Sequence, residues 1–403
     1  MLVRPLSSGR KISNLVYLFK RVNLVGENLF FQNPLIFNGV QVIDPSQEFV
    51  ASLGSNDTRD FKPPLVGFTK SYDYPVFYFI YNFDNYLHFV YDCLPYLIEY
   101  RKLKKTIPEL KLLVNYPNPS RKEFYKFNIE FLELLGILNN DLVFVSSDTL
   151  YQELYVSETL TYCEPPKQEA FSVYSELVEN AKKQVKLNTP EKFYISRRTH
   201  LNNQGKSNRG TDYTTRRKLV NEDELVEFLT GKGYQEVFTE NLSTVEKILY
   251  FNQAKSIVGA LGGGLVNCLF STKNTKVAGI ASPHIMEVNK RLNICYSFAN
   301  TTFFDGTFNI ENGPWKKHVR VKTKDGIVGE IKEISKDSLT IEYSPQKVSG
   351  WNREVKFDKL EVYKHDCVPL DKGINSSWAI NMKTFKSYFN GIPSYFHKDG
   401  QYN

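Results

Sequence analysis

Residues 256–267 have the sequence SIVGALGGGLVN, in which a short apolar run leads into three consecutive glycines. The run predicts a buried strand over 256–258, and the apolar residues after the glycines predict a helix over 264–270. Glycines at such a junction let the backbone approach a ligand closely, and the N–H groups at the start of a helix bind phosphate. The order of the glycines is not GxGxxG, so the standard dinucleotide-binding fingerprint is not met. The stretch therefore predicts either a phosphate-binding turn or simply a tight turn of an α/β sheet.

The segments on both sides of this stretch alternate between predicted strands and predicted helices, which is typical of parallel βαβ units. We therefore predict an α/β fold with two parallel-sheet domains, over residues 1–186 and 187–317. The first domain has predicted strands at 75–79, 111–115 and 142–146 and helices at 85–103, 123–135 and 173–185. The second has predicted strands at 193–196, 236–238, 256–258 and 277–281 and helices at 222–230, 243–252 and 264–270.

The sequence changes character after residue 317. Apolar and polar residues alternate over 318–366, with turn residues between the runs, which predicts a small β unit resembling an SH3-like barrel. The remaining segment, 367–403, contains a predicted closing helix over 375–389. Residues 202–215 are rich in Gly, Asn, Ser and Thr, which is typical of a loop and makes this segment a candidate lid.

The composition excludes several classes of protein. The chain has 403 residues, of which 41% are hydrophobic and 24% charged, so neither a disordered chain nor a small disulfide-stapled scaffold fits. Its formal net charge of +7 favours anionic ligands such as nucleotides. The basic residues are dispersed among acids rather than arranged in stripes with aromatic residues between them, which argues against nucleic acid as a partner.

The sequence also bears on the compartment. Its five cysteines form no CxxC or Cys/His pattern, which indicates a reducing environment and no zinc site. The N-terminus is a poor signal peptide, and the longest apolar run is too short to span a bilayer. We therefore predict a cytoplasmic protein whose basic N-terminal segment can make peripheral contact with the inner face of a membrane.

Two pairs of arginines precede the glycine-rich stretch. Arg197 and Arg198 follow the first strand of the second series, and Arg216 and Arg217 precede its first helix. Guanidinium groups bind phosphate oxygens through two parallel hydrogen bonds, so arginines that face the glycine turn would complete a diphosphate site. Surface charge is the alternative interpretation of each arginine. We interpret the sequence NEDE at 221–224 as an ordinary helix start, with Asn as the cap and acids in the first turn.

A third group of polar residues, Asn85, His88 and Asp92, lies in the first predicted helix. In a regular helix they would occupy positions i, i+3 and i+7, within about 60° of one another on a face rich in Tyr and Phe. A carboxylate there can take a proton from a hydroxyl, and an imidazole can orient it or serve as the base itself. A pair of metal ligands is one alternative, although no third ligand is near in sequence. A hydrogen-bonded structural network is the other.

Three segments occur in one order: NFDNYLHFVYDCLP (82–95), YISRR followed by RRKLVNEDEL (194–225), and LSTVEKILYFNQAKSIVGALGGGLVN (242–267). Together they resemble the family 61 glycosyltransferases. The resemblance implies a GT-B arrangement, in which two Rossmann-like domains face a cleft and the terminal helix crosses back to the N-terminal domain. It also implies inverting transfer of a sugar from a nucleotide-sugar donor to a glycan acceptor, with no obligatory metal and no cofactor. Synthesis of surface polysaccharide, such as capsule, is the implied role.

The resemblance also assigns roles to individual residues. Arg197 and Arg217 would face the donor diphosphate, and Glu246 would lie in the donor site. Lys247 replaces the glutamine usual in the family, and Leu261 replaces the histidine that precedes the family's glycine turn. The other implied donor-binding residues are Gly262, Gly263, Gly264, Leu265 and Asn267.

Asn85, His88 and Asp92 match the Asn…His…Asp helix that faces the acceptor in the family. We predict Asp92 as the catalytic base, with His88 as the second choice. The replacement of the histidine by Leu261 leaves an alternative open. In that alternative, the chain is a degenerate relative that binds a nucleotide or a glycan without turnover.

Overall fold

The structure is a computed structural model, and its contacts divide the chain into two compact units, Met1–Lys186 and Leu187–Asn403. Both units combine helices with sheets that contain parallel strands, so the predicted mixed α/β class is confirmed. The assignment of four segments as separate domains stays a prediction. The residues described are 9–25, 35–37, 42–43, 70–80, 85–115, 124–146, 149–158, 160–161, 168–198, 219–283, 300–309, 315, 317, 319–343, 358–369 and 377–391.

The first unit is built on a mixed β-sheet. In chain order its strands are β1 Arg10–Lys11, β2 Val16–Val25, β3 Leu35–Phe37, β4 Val42–Ile43, β5 Lys70–Tyr72, β6 Val76–Tyr78, β7 Lys111–Val114, β8 Leu142–Phe144 and β9 Thr149–Ser157. They pair in the order β4-β3-β2-β9-β6-β7-β8, with β1 beside β2 and β5 beside β9. Strands β6, β7 and β8 are parallel, as the alternation of strands and helices predicted.

Two longer strands, β2 and β9, were not predicted. They pair antiparallel with each other, and β9 also pairs parallel with β6. Strand β9 therefore connects the strands on the β2 side of the sheet with β6, β7 and β8. Phe19 and Val22 of β2 are buried in the core. Strand β2 lies in the N-terminal segment for which membrane contact was predicted, and that contact stays a prediction.

The helices of the first unit follow the predicted strands. They are α1 Tyr86–His88, α2 Leu97–Thr106, α3 Lys126–Leu134 and α4 Phe171–Gln184. The predicted helix over 85–103 is therefore not one continuous α-helix, because a π-helical turn at Phe89–Cys93 and a 3₁₀ turn at Leu94–Tyr96 separate α1 from α2. None of the helices among the described residues combines the length and apolar character needed to cross a membrane.

The second unit contains a fully parallel five-stranded sheet among its described residues. The strands are β10 Lys192–Ile195, β11 Gln235–Val237, β12 Ser256–Ala260, β13 Lys276–Ile280 and β14 Asn300–Phe304, with helices α5 Glu222–Thr230 and α6 Thr244–Gln253 between them. Their order is β11-β10-β12-β13-β14, which is the 2-1-3-4-5 order of doubly wound sheets. The winding changes direction between β10 and β12. Ligands of such sheets bind at the carboxyl ends of the two strands that flank this point.

The predicted small β unit forms an antiparallel sheet with its own core. The remaining strands are β15 Thr307–Asn309, β16 Arg320–Thr323, β17 Val328–Ile334, β18 Ser338–Tyr343, β19 Asp358–Tyr363, β20 Cys367–Pro369 and β21 Trp378–Ile380. Strands β16 to β20 pair in the order β19-β18-β17-β16-β20 around Val321, Ile331 and Ile341. Because β20 pairs with β16, the sheet continues beyond residue 366, where the predicted unit ended. Closure into an SH3-like barrel stays a prediction.

The C-terminal helix, α7 Met382–Gly391, packs into the core of the second unit. Phe385 is fully buried, and its ring centroid lies 5.1 Å from that of Phe304 and 6.1 Å from that of Phe228. The expectation that this helix crosses back to the N-terminal domain is therefore wrong. The aromatic residues of α7 complete a cluster of aromatic side chains over the parallel sheet, and burial of that area holds the helix in its own unit.

Replacement of Phe385 by alanine tests this packing. Phe385→Ala is expected to lower the free energy of unfolding of the second unit by about 3–5 kcal/mol, because it leaves a cavity among aromatic rings. Urea denaturation measures the change. Lys383→Ala, at an exposed position of the same helix, is the control and is expected to change the value by no more than about 0.5 kcal/mol. Equal unfolding curves for both variants would contradict the packing.

Candidate active site

Asn85 is the N-cap of the helical segment in the first unit. Its Oδ1 accepts hydrogen bonds from the N–H groups of Leu87, at 3.1 Å, and His88, at 3.4 Å. These two bonds satisfy backbone donors that have no partner within the helix. The side chain of Asn85 thus has a local structural role, and its predicted catalytic role stays a prediction.

The helical segment after this cap is not regular. Phe89–Cys93 form a π-helical turn, in which the N–H group of Leu94 donates to the carbonyl of Phe89, five residues earlier. Pro95 has no N–H group, so it cannot make the α-helical hydrogen bond to the carbonyl of Tyr91. The predicted i, i+3, i+7 face assumed 3.6 residues per turn and therefore does not describe this segment.

His88 and Asp92 form a hydrogen-bonded pair across the π-helical turn. Nδ1 of His88 lies 2.9 Å from Oδ2 of Asp92. A carboxylate only accepts hydrogen bonds, so a neutral imidazole that donates from Nδ1 in this contact has its lone pair on Nε2. The imidazole is 17% exposed and the carboxyl only 7%. The geometry favours His88 as the group that receives a proton and Asp92 as the group that orients it, the reverse of the predicted preference.

Aromatic rings surround the residues next to this pair. The ring of Tyr86 lies 5.1 Å from that of Phe127, and the ring of Phe89 lies 5.6 Å from the same side chain, centroid to centroid. Phe89 and Phe127 are buried. Asp92 is itself buried, and a hydrogen bond at a buried site is electrostatically stronger than the same bond in water.

In the second unit, Arg197 lies at the carboxyl end of β10, beside the point where the winding of the sheet changes direction. Its guanidinium lies next to the glycine turn that follows β12, because a Cβ built on Gly262 would lie 3.8 Å from Nη1 of Arg197. Gly262 has a φ of 151°, a conformation that other residues rarely adopt. The structure thus brings together the predicted arginine and the predicted turn, which are 65 positions apart (262 − 197).

The glycine turn ends in a 3₁₀ helix, Leu265–Phe270, where an ordinary helix was predicted. The N–H group of Leu265 donates to the carbonyl of Gly262 at 3.1 Å, and the Leu265 side chain is fully buried. Gly263 and Gly264 are partly exposed, and their N–H groups donate no hydrogen bond within the described part of the chain. These two amides are therefore the backbone donors that the turn offers to an anion.

Two other predicted donor-binding residues have structural contacts. Asn267 is fully buried, and its Nδ2 donates to the carbonyl of Gly264 at 2.9 Å, so it holds the turn from inside. Glu246 forms a capping box with Ser243 at the start of α6, in which its Oε2 accepts from the Ser243 N–H group at 2.7 Å. Direct contact of either side chain with a donor stays a prediction.

Arg198, the neighbour of Arg197, is held by acidic residues. Its Nε donates to Oε1 of Glu236 at 2.9 Å, and its Nη1 donates to Oδ1 of Asp223 at 2.7 Å. The hydrogen bond with Glu236 raises the pKa of Arg198 above its ordinary value. Arg198 is therefore paired with two acids, and its interpretation as surface charge stays a prediction.

Glu222 is a buried acid that the interpretation of 221–224 as a helix start missed. Only 4% of the residue is exposed, and its Oε1 accepts from the hydroxyl of Tyr194 at 2.7 Å and from the N–H group of Arg197 at 2.5 Å. Burial and this carboxylate raise the pKa of Tyr194 well above its ordinary value, so the phenol stays a donor. Glu222 thus fixes the backbone from which the Arg197 guanidinium extends.

The preceding residue, Asn221, does not cap α5 with its side chain. Its Nδ2 donates to the carbonyl of Ile380 at 2.8 Å, and its Oδ1 accepts from the Ile380 N–H group at 3.0 Å. Asn221 therefore occupies the predicted N-cap position without making a capping hydrogen bond. The amide instead connects the start of α5 to β21, a contact that only the tertiary structure creates.

Glu222→Gln is expected to lower the free energy of unfolding by about 1.5–3 kcal/mol, because it weakens hydrogen bonds to a buried charged acceptor. Thermal unfolding of the purified protein measures the change. Glu224→Gln, an exposed position in the same helical turn, is the control and is expected to change it by no more than about 0.5 kcal/mol. The assignment fails if the two variants unfold alike.

The comparison with protein families bears directly on this site. Residues 86–278, just under half of the chain, match the family model described as glycosyltransferase 61. This part of the chain is similar to the glycosyltransferase 61 family. The resemblance found in the sequence is therefore confirmed. No match is found among curated proteins.

The family 61 region contains His88, Asp92, Arg197 and the glycine turn, whereas Asn85 lies one residue before it. Family 61 membership implies, in general, a nucleotide-sugar donor and a glycan acceptor. Arg217, the second predicted diphosphate ligand, and the candidate lid over 202–215 lie outside the described residues. Among the described residues, no group of three or more His, Cys, Asp and Glu side chains is arranged to hold a metal ion.

Proposed function

We propose that this protein is an inverting, metal-independent glycosyltransferase of the GT-B kind that transfers a sugar from a nucleotide sugar to a hydroxyl of a glycan. The observation that carries the proposal is the 2.9 Å contact between His88 and Asp92 inside the family 61 region. An imidazole oriented by a carboxylate is a general base suited to a hydroxyl near neutral pH. The proposed setting is surface polysaccharide synthesis in the cytoplasm, at the inner face of the membrane.

The reaction would be a single displacement. Nε2 of His88 takes the proton of the acceptor hydroxyl while the oxygen attacks the anomeric carbon of the donor. The bond between that carbon and the diphosphate oxygen breaks, and the nucleoside diphosphate leaves with the electron pair. Attack from the side opposite the leaving group inverts the anomeric configuration. Asp92 stabilises the imidazolium that forms, because its carboxylate accepts the Nδ1 proton.

The second unit would bind the donor. The guanidinium of Arg197 beside Gly262 supports a diphosphate site, since arginine binds phosphate oxygens through paired hydrogen bonds. The N–H groups of Gly263 and Gly264 add two donors at the carboxyl end of β12. Arg217 is proposed as a second cation. Together these groups would neutralise the charge that develops on the leaving diphosphate.

A binding screen tests the proposal. The purified protein is titrated with nucleoside diphosphates and nucleotide sugars in the presence of EDTA, and the donor that binds is then incubated with glycan acceptors. Selective binding in EDTA and acceptor-dependent release of the nucleoside diphosphate are the expected results. Failure to bind any nucleotide would contradict the donor site, and binding that requires a divalent cation would contradict metal independence.

One observation favours a second candidate function, binding without turnover. Leu261 is 3% exposed, and a Cβ built on Gly279 would lie 3.1 Å from Leu261 Cδ2. The position at which the family has a histidine is therefore filled here by a buried apolar side chain. A protein of this second kind would bind the donor tightly but release no nucleotide with any acceptor in the screen.

A further inference from the structure

Tyr174, a buried residue of α4, contacts the π-helical turn that contains Asp92. Its hydroxyl donates to the carbonyls of Val90, at 3.0 Å, and Tyr91, at 3.3 Å. A hydroxyl has a single proton, so the two carbonyls share one hydrogen bond. Only 1% of Tyr174 is exposed, so the bond is protected from water.

The π-helical turn creates the need for this donor. In an α-helix, the carbonyl of Val90 would accept from Leu94, but the N–H group of Leu94 donates to the carbonyl of Phe89. The carbonyl of Tyr91 would accept from residue 95, which is a proline and has no N–H group. Neither carbonyl therefore has its α-helical donor, and the hydroxyl of Tyr174 donates to both of them.

Helix α4 is a fixed support for this hydroxyl. Val173 and Leu177, on either side of Tyr174, are buried in the core of the first unit. The side-chain amide of Asn180, farther along α4, donates to the carbonyl of Leu134 in α3 at 2.8 Å. Helix α4 is thus held by the core of the first unit and by α3 as well as by its contact with the π-helical turn.

We propose that Tyr174 is a positioning residue for the pair formed by His88 and Asp92. Asp92 follows Tyr91 directly inside the turn, so the hydroxyl that holds the carbonyls of Val90 and Tyr91 sets the backbone from which the carboxylate reaches His88. Without this bond, the carbonyls of the two residues before Asp92 lose their contact with α4. The effect of this positioning on catalysis rests on the proposed function.

Histidine NMR tests the positioning without any activity. The ring nitrogens of ¹⁵N-histidine-labelled protein report whether Nδ1 of His88 is protonated and hydrogen-bonded, and His88→Asn assigns the signals. Tyr174→Phe is expected to shift the His88 signals toward exchange between the two neutral tautomers. Tyr100→Phe is the matched control, because it removes another buried hydroxyl, one that donates to the carbonyl of Leu110, and it is expected to leave the His88 signals unchanged.

Kinetics then test the consequence for catalysis. Tyr174→Phe is expected to lower kcat about tenfold, while the Kd of the donor stays within about twofold of the wild-type value, because the donor-binding groups lie in the other unit. Tyr100→Phe is expected to leave both constants unchanged. A merely structural role of Tyr174 would lower the stability of Tyr174→Phe without this separation of kcat from donor Kd.

The outcomes distinguish the two proposals. If the His88 signals of Tyr174→Phe equal those of the wild type, Tyr174 does not position the pair. If they shift but the wild type transfers no sugar, the positioning stands and the proposed function fails. Should Tyr174→Phe not fold, Pro95→Ala makes the same test, since it supplies the missing N–H donor at residue 95 and is expected to shift the His88 signals. Unchanged signals in Pro95→Ala would then overturn the proposal.

Discussion

His88→Ala is expected to lower kcat/KM for sugar transfer by about 10²–10⁴-fold, the range that a positioned general base contributes. The physical reason is the arrangement of the pair, in which Nδ1 of His88 contacts Asp92 at 2.9 Å, so that Nε2 is the proposed base. Initial rates with the donor found in the binding screen measure the loss. The Kd of the donor is expected to stay unchanged, because the imidazole belongs to the other unit.

Asp92→Asn separates the roles of the two residues. The asparagine amide can also donate to Nδ1, which favours the tautomer with its proton on Nε2, so a large loss is expected here as well. Added imidazole is expected to restore part of the activity of His88→Ala, because it fills the space of the missing base, and none of the activity of Asp92→Asn. If His88→Ala keeps near wild-type activity while Asp92→Asn is inactive, Asp92 is the base.

Arg197→Ala is expected to weaken donor binding and transfer together, by about 10²–10³-fold in kcat/KM, the range reported by removal of one electrostatic stabiliser of a developing negative charge. Its guanidinium lies beside Gly262, whereas its backbone N–H group donates to Glu222. The substitution keeps that backbone hydrogen bond, so the loss of the guanidinium is the main change. Isothermal titration with the nucleoside diphosphate measures the affinity, and steady-state kinetics measure the transfer.

Arg198→Ala is the matched control for this prediction. It removes the same charge at the next position, but its guanidinium is bonded to Glu236 and Asp223. It is therefore expected to lower the thermal midpoint and to leave the donor Kd within about twofold of the wild-type value. The opposite pattern, with weak binding in Arg198→Ala and normal binding in Arg197→Ala, would place the donor on the other guanidinium.

Several strands of both sheets were predictable from the sequence. The short apolar runs that became β6, β7, β10 and β12 have buried side chains, and hydrophobic periodicity is a local property of the chain. Strands β2 and β9 were missed, although their pairing with each other is the largest antiparallel contact of the first sheet. Pairing between residues more than a hundred positions apart leaves no local pattern.

The candidate site, too, was predictable from the sequence only in part. The residue types of His88, Asp92 and Arg197 indicated their chemistry, and the glycines indicated a close backbone turn. The role of Glu222 was hidden, because an acid in the first turn of a helix is ordinary in sequence and unusual only when it is buried. The sequence did not predict the π-helical turn either. Pro95 indicates that the regular helix breaks, but not which kind of turn replaces it.

The sequence by itself thus determined the α/β class, the family, and the residues from which a base and a diphosphate site can be built, because propensity, hydrophobic period and side-chain chemistry are carried by short segments. The tertiary structure decided which of those residues contact one another and how exposed each one is. It placed Arg197 over a turn that lies 65 positions away, set His88 rather than Asp92 as the more exposed member of their pair, and kept α7 in its own unit. Distance, burial and hydrogen-bond partners arise only when distant segments pack, so short segments of sequence do not contain them.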